Sequence, residues 1–162
     1  MRKLFANPES GRSMIEMLGV LAIMGVITVG AITMISAAMR SQKRTNLQDE
    51  VAQLVTGVRT ILGQYDDFSN LDNNTIFAAI GMSEKNPYGG KYQMFANPND
   101  ARQFVVNIDG LNKSDCEYFK AKAWPDSAGY ITSDGKQGGA TASPSDCSAD
   151  DGKNQIQIIF GE

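Results

Sequence analysis

At 162 residues the chain is about one domain long, and its 42% hydrophobic and 20% charged residues are ordinary for a folded protein. Its formal charge of -3 gives no electrostatic reason to bind nucleic acid. The lack of His removes the commonest general base and metal ligand, and 2 Cys are too few for a structural zinc site yet enough for one disulfide in an oxidising compartment.

Residues 1–11 are short and polar, with Arg2 and Lys3 in front. Residues 17–39 then carry no charge. As a helix they span roughly 34 Å, enough for a bilayer core of about 30 Å. A helix buried in a soluble core is the alternative, but such helices rarely stay apolar on every face for so long. Arg2, Lys3 and Arg12 precede the span and Arg40, Lys43 and Arg44 follow it, so the positive-inside count is nearly balanced. The N-terminal amine tips it towards an N-terminus inside, and the cysteines also belong outside the cytoplasm.

Past the span, Leu47, Val51, Leu54, Val55, Val58, Ile61, Leu62 and Tyr65 recur in steps of three and four. That is one apolar stripe on a helix, with Gln48, Gln53 and Arg59 off the stripe and facing water. No Pro intervenes between Pro8 and Pro87, so one helix over about residues 13–65 is predicted. From there the pattern becomes that of a small α+β domain. Asn74 is placed to cap a short helix that stops at Gly81. Residues 86–90, N-P-Y-G-G, read as a turn. Strands are expected at 91–95, 103–109 and 129–133. Asn112 with Asp115 three residues on resembles a capping box for a helix to about Ala123. Residues 134–154 read as loop, and 155–160 as a closing strand with Ile156, Ile158 and Phe160 on one face.

The informative cluster is Gly11, Arg12, Ser13 and Glu16. A carboxylate at the mouth of an uncharged span is costly and needs a partner. Taken alone, Glu16 fits a headgroup anchor. Together, G-R-S-M-I-E followed by MLGVLAIMGV resembles the class III signal of type IV pilins and pseudopilins. The resemblance implies an α+β pilin fold, with a long N-terminal helix packed on a small antiparallel sheet. It implies a leader over 1–11, cleavage by a prepilin peptidase between Gly11 and Arg12, and N-methylation of Arg12, which stands where the family usually has Phe or Met. It makes 12–65 the helix, 17–39 its transmembrane and filament-core part, and 66–162 the head. Glu16 becomes the fifth mature residue, paired with the new amine during assembly. Gly19, Gly25 and Gly30 are expected either to let helices pack closely or to mark where the helix melts in a filament, between Gly25 and Gly30.

A second likeness covers the head. K-N-P-Y at 85–88, then FVVNIDGLNKSDC ending at Cys116, is similar to the type IVb major pilins, such as those of toxin-coregulated pili. In that group the counterparts of Cys116 and Cys147 form a disulfide that staples the C-terminal region to the sheet.

Other candidates are weaker. Asp146, Asp150, Asp151 and Asn154 lack the spacing of an EF-hand and read as a solvated acidic loop, so no metal is expected. Trp124 before Pro125 reads as a packing residue. The glycines at 135–139 lack the Lys-Ser/Thr sequel of a phosphate loop. With no nucleophile–base constellation, neither an enzyme nor a cofactor is expected. The expected partners are other copies in a helical homopolymer, the inner membrane before assembly, the prepilin peptidase, and a pilus assembly platform with its ATPase. The expected location is the inner membrane, then an extracellular filament. Two rival readings are a type II secretion pseudopilin or minor pilin, and a secreted binding domain behind an ordinary signal peptide cut near residues 36–38.

Overall fold

A computed structural model describes residues 9–65, 67–130, 147 and 152–161, with side chains from residue 14 onward except that of Tyr130. The leader residues 1–8, strand residues 131–133 and the loop glycines at 135–139 lie outside the described residues, as do Asp146, Asp150 and Asp151. The chain divides into two compact units, Met1–Gln42 and Lys43–Glu162.

Helix α1 runs Glu9–Leu62. It is described from Glu9, earlier than the expected start near residue 13. It also ends earlier. Gly63, a poor helix former, follows Leu62 and its N–H still bonds Arg59 O at 2.9 Å. Tyr65 therefore leaves the buried stripe and is 65% exposed. The rest of the stripe is as predicted: Leu47, Val51, Leu54, Val55 and Val58 are buried, and Ile61 and Leu62 pack against the same cluster.

The second unit adds α2 (Asn73–Ile80), β1 (Tyr92–Asn97), β2 (Asp100–Leu111), α3 (Lys113–Ala121), β3 (Ser127–Tyr130) and β4 (Asn154–Gly161). The strands form one antiparallel sheet in the order β1-β2-β4-β3. This is the expected α+β architecture, with the second half of α1 packed on a four-stranded sheet. Phe104, Val106 and Ile108 of β2 meet Ile156, Ile158 and Phe160 of β4 on the face towards α1. The opposite face is also partly covered, since the paired Val105 and Ile159 are fully buried.

Several local expectations shift. The α2 cap is Asp72 rather than Asn74, its carboxylate accepting from Thr75 N at 2.9 Å and Thr75 Oγ1 at 2.7 Å. Gly81 ends α2 as predicted, in the left-handed region at φ 69. Asn112 caps α3 through Asp115 N at 2.8 Å. That helix stops at Ala121, short of Ala123, because Lys122 is already extended and Trp124 precedes Pro125. Trp124 is a packing residue, 5.8 Å from Phe119 between ring centroids, with its Nε1 donating to Phe119 O. Strand β3 starts two residues early, at Ser127, and Asn154 belongs to β4, where its Nδ2 donates to Leu111 O at 3.0 Å.

Candidate functional site

The first half of α1 is the unusual surface. Every large apolar side chain from Met14 to Met39 is exposed, between 50% and 76%. Burying one such side chain is worth about 1.5–3 kcal/mol, so a surface of this size in water calls for a covering. The helix is long and apolar enough to cross a membrane. Its few polar side chains are compatible with an apolar medium. Thr28 Oγ1 donates to Met24 O at 2.8 Å, Thr33 Oγ1 to Gly30 O at 2.8 Å and Ser36 Oγ to Ile32 O at 2.9 Å. No hydroxyl hydrogen is left to be desolvated unpaired. The sequence reading passed over these three residues, although a Thr or Ser inside an uncharged span is itself the clue.

The backbone of Gly11 and Arg12 lies within the first turn of α1; the Arg12 side chain is outside the described residues. Glu16 is exposed on the same helix, at the edge of the apolar surface. Gly19, Gly25 and Gly30 have open space where a Cβ would be. The helix runs through all three without a break.

In the second unit, Cys116 and Cys147 are bonded, with Cα atoms 5.9 Å apart and a separation of 31 positions in sequence. Closing such a loop stabilises by about 3–4 kcal/mol in the chain-entropy model. Cys116 is fully buried at the start of α3, next to an ion pair that the sequence reading missed. Arg44 Nε donates to Asp115 Oδ1 at 2.6 Å, and the side chains are 24% and 2% exposed. The second carboxylate oxygen accepts from Asn112 Nδ2 at 2.7 Å. The Arg44 guanidinium lies 4.2 Å from the Tyr118 ring centroid, and Lys43 Nζ lies 5.8 Å from that of Tyr88. Burial, helped by the Asp115 charge, pushes the Tyr88 phenol up to about 12. Arg44 sits three residues before Leu47, where the apolar stripe would continue; a charge in that position pointed to a buried partner. Further along α1, Glu50 accepts from the buried Tyr92 hydroxyl at 2.7 Å; burial, and after it this bond, raises that phenol too. Gln48, expected to face water, is half-buried and receives a hydrogen bond from Lys122 Nζ. These polar contacts sit beside the apolar stripe and fix how α1 seats against β1 and α3.

Among curated proteins the chain is 26% identical over 124 residues to the toxin coregulated pilin of Vibrio cholerae, an alignment covering 67% of this chain and 55% of that pilin. It is a distant relative of this pilin. The toxin coregulated pilin of Vibrio cholerae serotype O1 matches with the same identity and coverage. The chain spans about half the length of the curated pilins it matches. No protein-family model matches the sequence.

Proposed function

We propose that the chain is the structural subunit of a type IV pilus of the IVb kind. The observation that carries this reading is the exposed apolar surface from Met14 to Met39 on a helix whose second half is built into a folded head. One surface can be covered by lipid before assembly and by identical helices afterwards, because both offer apolar contact. The precursor sits in the inner membrane with residues 1–11 as leader, 12–65 as helix and 66–162 as head. A prepilin peptidase cuts between Gly11 and Arg12 and methylates the new amine. An assembly platform and its ATPase then feed subunits into an extracellular filament. The role is structural and not catalytic.

Glu16 has a specific part in this scheme. It is the only acid between residues 12 and 48. Cleavage creates a positive amine at Arg12, and a charge left unpaired among packed apolar helices is costly. Glu16 of one subunit offsets the amine of another when the two are in register, so it checks docking while the apolar residues supply cohesion. Gly25 to Gly30 is the stretch that gives up helical structure on assembly, where two glycines weaken the helix most.

The test is the composition of filaments sheared from cells that express the chain. The expected result is that this chain is their main protein. A chain that stays in the membrane while no filament forms, or filaments that contain it only in trace amounts, overturns the reading.

A further inference from the structure

Among the described strands β1 is an edge of the sheet, and edges invite pairing with other strands. Its sequence, YQMFAN, carries no charge and no Pro, the devices that usually discourage such pairing. The other edge strand, β3, is described over Ser127–Tyr130.

The ladder tells which backbone groups of β1 point outward. Tyr92 pairs with Ile108 and Met94 with Val106. Just ahead of them, Lys91 O accepts from Asp109 N at 3.2 Å. In an antiparallel ladder the bonded pairs recur every second residue. Residues 91, 93 and 95 therefore bond to β2, while Tyr92, Met94 and Ala96 aim their N–H and C=O groups away from it.

Two of these outward positions are met within the head. Tyr92 N donates to Glu84 O at 2.7 Å. At Met94 a side chain does the work of a strand. Met94 N donates to Asn73 Oδ1 at 2.7 Å, and Asn73 Nδ2 donates to Met94 O at 2.9 Å. One amide thus exchanges both hydrogen bonds with one residue, which is what an opposing residue does in an antiparallel bonded pair. We infer that Asn73 seals the β1 edge by making the two bonds that Met94 of a second copy of this chain would make, and so prevents heads from pairing edge to edge.

A second copy is the partner excluded because the open edge is self-complementary. Two identical strands pair antiparallel about a two-fold axis. With Met94 opposite Met94, the two Met94 residues exchange both bonds; Tyr92, whose outward N–H already donates to Glu84 O, falls opposite Ala96, whose N–H its carbonyl accepts. Asn73 holds its place because α2 is anchored at both ends. Asp72 caps its first turn, and at its last turn Ile80 lies against Gly57 of α1, so closely that a Cβ at Gly57 would collide with the Ile80 side chain. The inference concerns the head alone and does not depend on the filament reading.

The experiment uses the full chain in detergent micelles, which cover its apolar helix. Hydrogen exchange at Met94 is followed with mass by analytical ultracentrifugation over a concentration series. For Asn73→Ala, exchange at Met94 is expected to be at least tenfold faster at low concentration. Dimers are expected at a concentration at least tenfold below that at which the unaltered chain forms any. Adding Ala96→Pro, which removes an outward N–H from the edge, is expected to abolish the dimer. Unchanged exchange at Met94, faster exchange without dimers, or dimers that survive Ala96→Pro would each overturn the inference. So would dimers of Ile156→Val, a core truncation in β4 that leaves the edge sealed. Should Asn73→Ala fail to fold, Gly57→Ala opens the edge from the other side of α2 and is held to the same outcomes.

Discussion

Arg44→Met tests the seating of α1 on α3. Arg44 is 24% exposed and its partner Asp115 only 2%, so the substitution leaves a buried carboxylate with Asn112 as its remaining side-chain donor. Removing one member of a buried pair costs about 3–5 kcal/mol. The partial exposure of Arg44 argues for the low end, about 3 kcal/mol. Loss of the guanidinium from the Tyr118 ring, 4.2 Å away, adds about 0.5–1 kcal/mol. For a domain of this size 1 kcal/mol moves the midpoint by about 4 °C. The expected loss is thus about 14–16 °C in a thermal melt of the full chain in detergent, followed by near-UV circular dichroism. Asp115→Asn keeps the oxygen that Asn112 bonds and removes the charge. The double variant is expected to recover at least half of the loss, because the stranded charge is the main cost. A loss of less than about 3 °C for Arg44→Met, or a double variant in which the two single losses simply add, refutes the reasoning.

Three other outcomes follow from the same physics. Replacing Cys116 and Cys147 together by Ser is expected to lower the unfolding free energy of the head by about 3–4 kcal/mol, measured by denaturant titration. The hydroxyl and then the amide of Thr75 hold the Asp72 carboxyl below its ordinary 3.8. The cap is therefore intact above that pH and is lost as the pH falls through the lower folded value. Once intrinsic rates are removed, exchange at the Thr75 amide is expected to accelerate below pH 3.8, and Asp72→Asn to lack that step. Glu16→Gln, expressed without the unaltered chain, is expected to fold, insert and be cleaved while building few filaments; filaments at normal rate and yield would reduce Glu16 to a recognition mark or headgroup anchor.

The fold was legible where one element carries its own pattern. The stripe from Leu47 to Leu62, the stop at Gly81, the cap at Asn112 and the buried face of Ile156, Ile158 and Phe160 are all local or periodic, and each stands where its residues indicate. Misplaced features were settled by distant neighbours. Asp72, Asn73 and Asn74 are all good caps in isolation. The choice falls on Asp72 because Asn73 is engaged by Met94, 21 residues away. Arg44 looked like one of several basic residues after the span, and only the fold brings it to Asp115, 71 residues away. Tyr65 kept the helical spacing but lies beyond Gly63, where α1 has already ended. In the apolar half of α1 the span was legible from composition alone. The Thr28, Thr33 and Ser36 hydroxyl bonds needed helix geometry to be seen.

The central claim is that the chain is cut after Gly11 and that the cut form builds the filament. Intact-mass measurement of protein from purified filaments tests it most directly. The expected mass is that of a chain beginning at Arg12, heavier by one methyl group and lighter by two hydrogens for the bond between Cys116 and Cys147. A mature chain beginning near residue 39, or an uncut chain in the filament, would contradict the account.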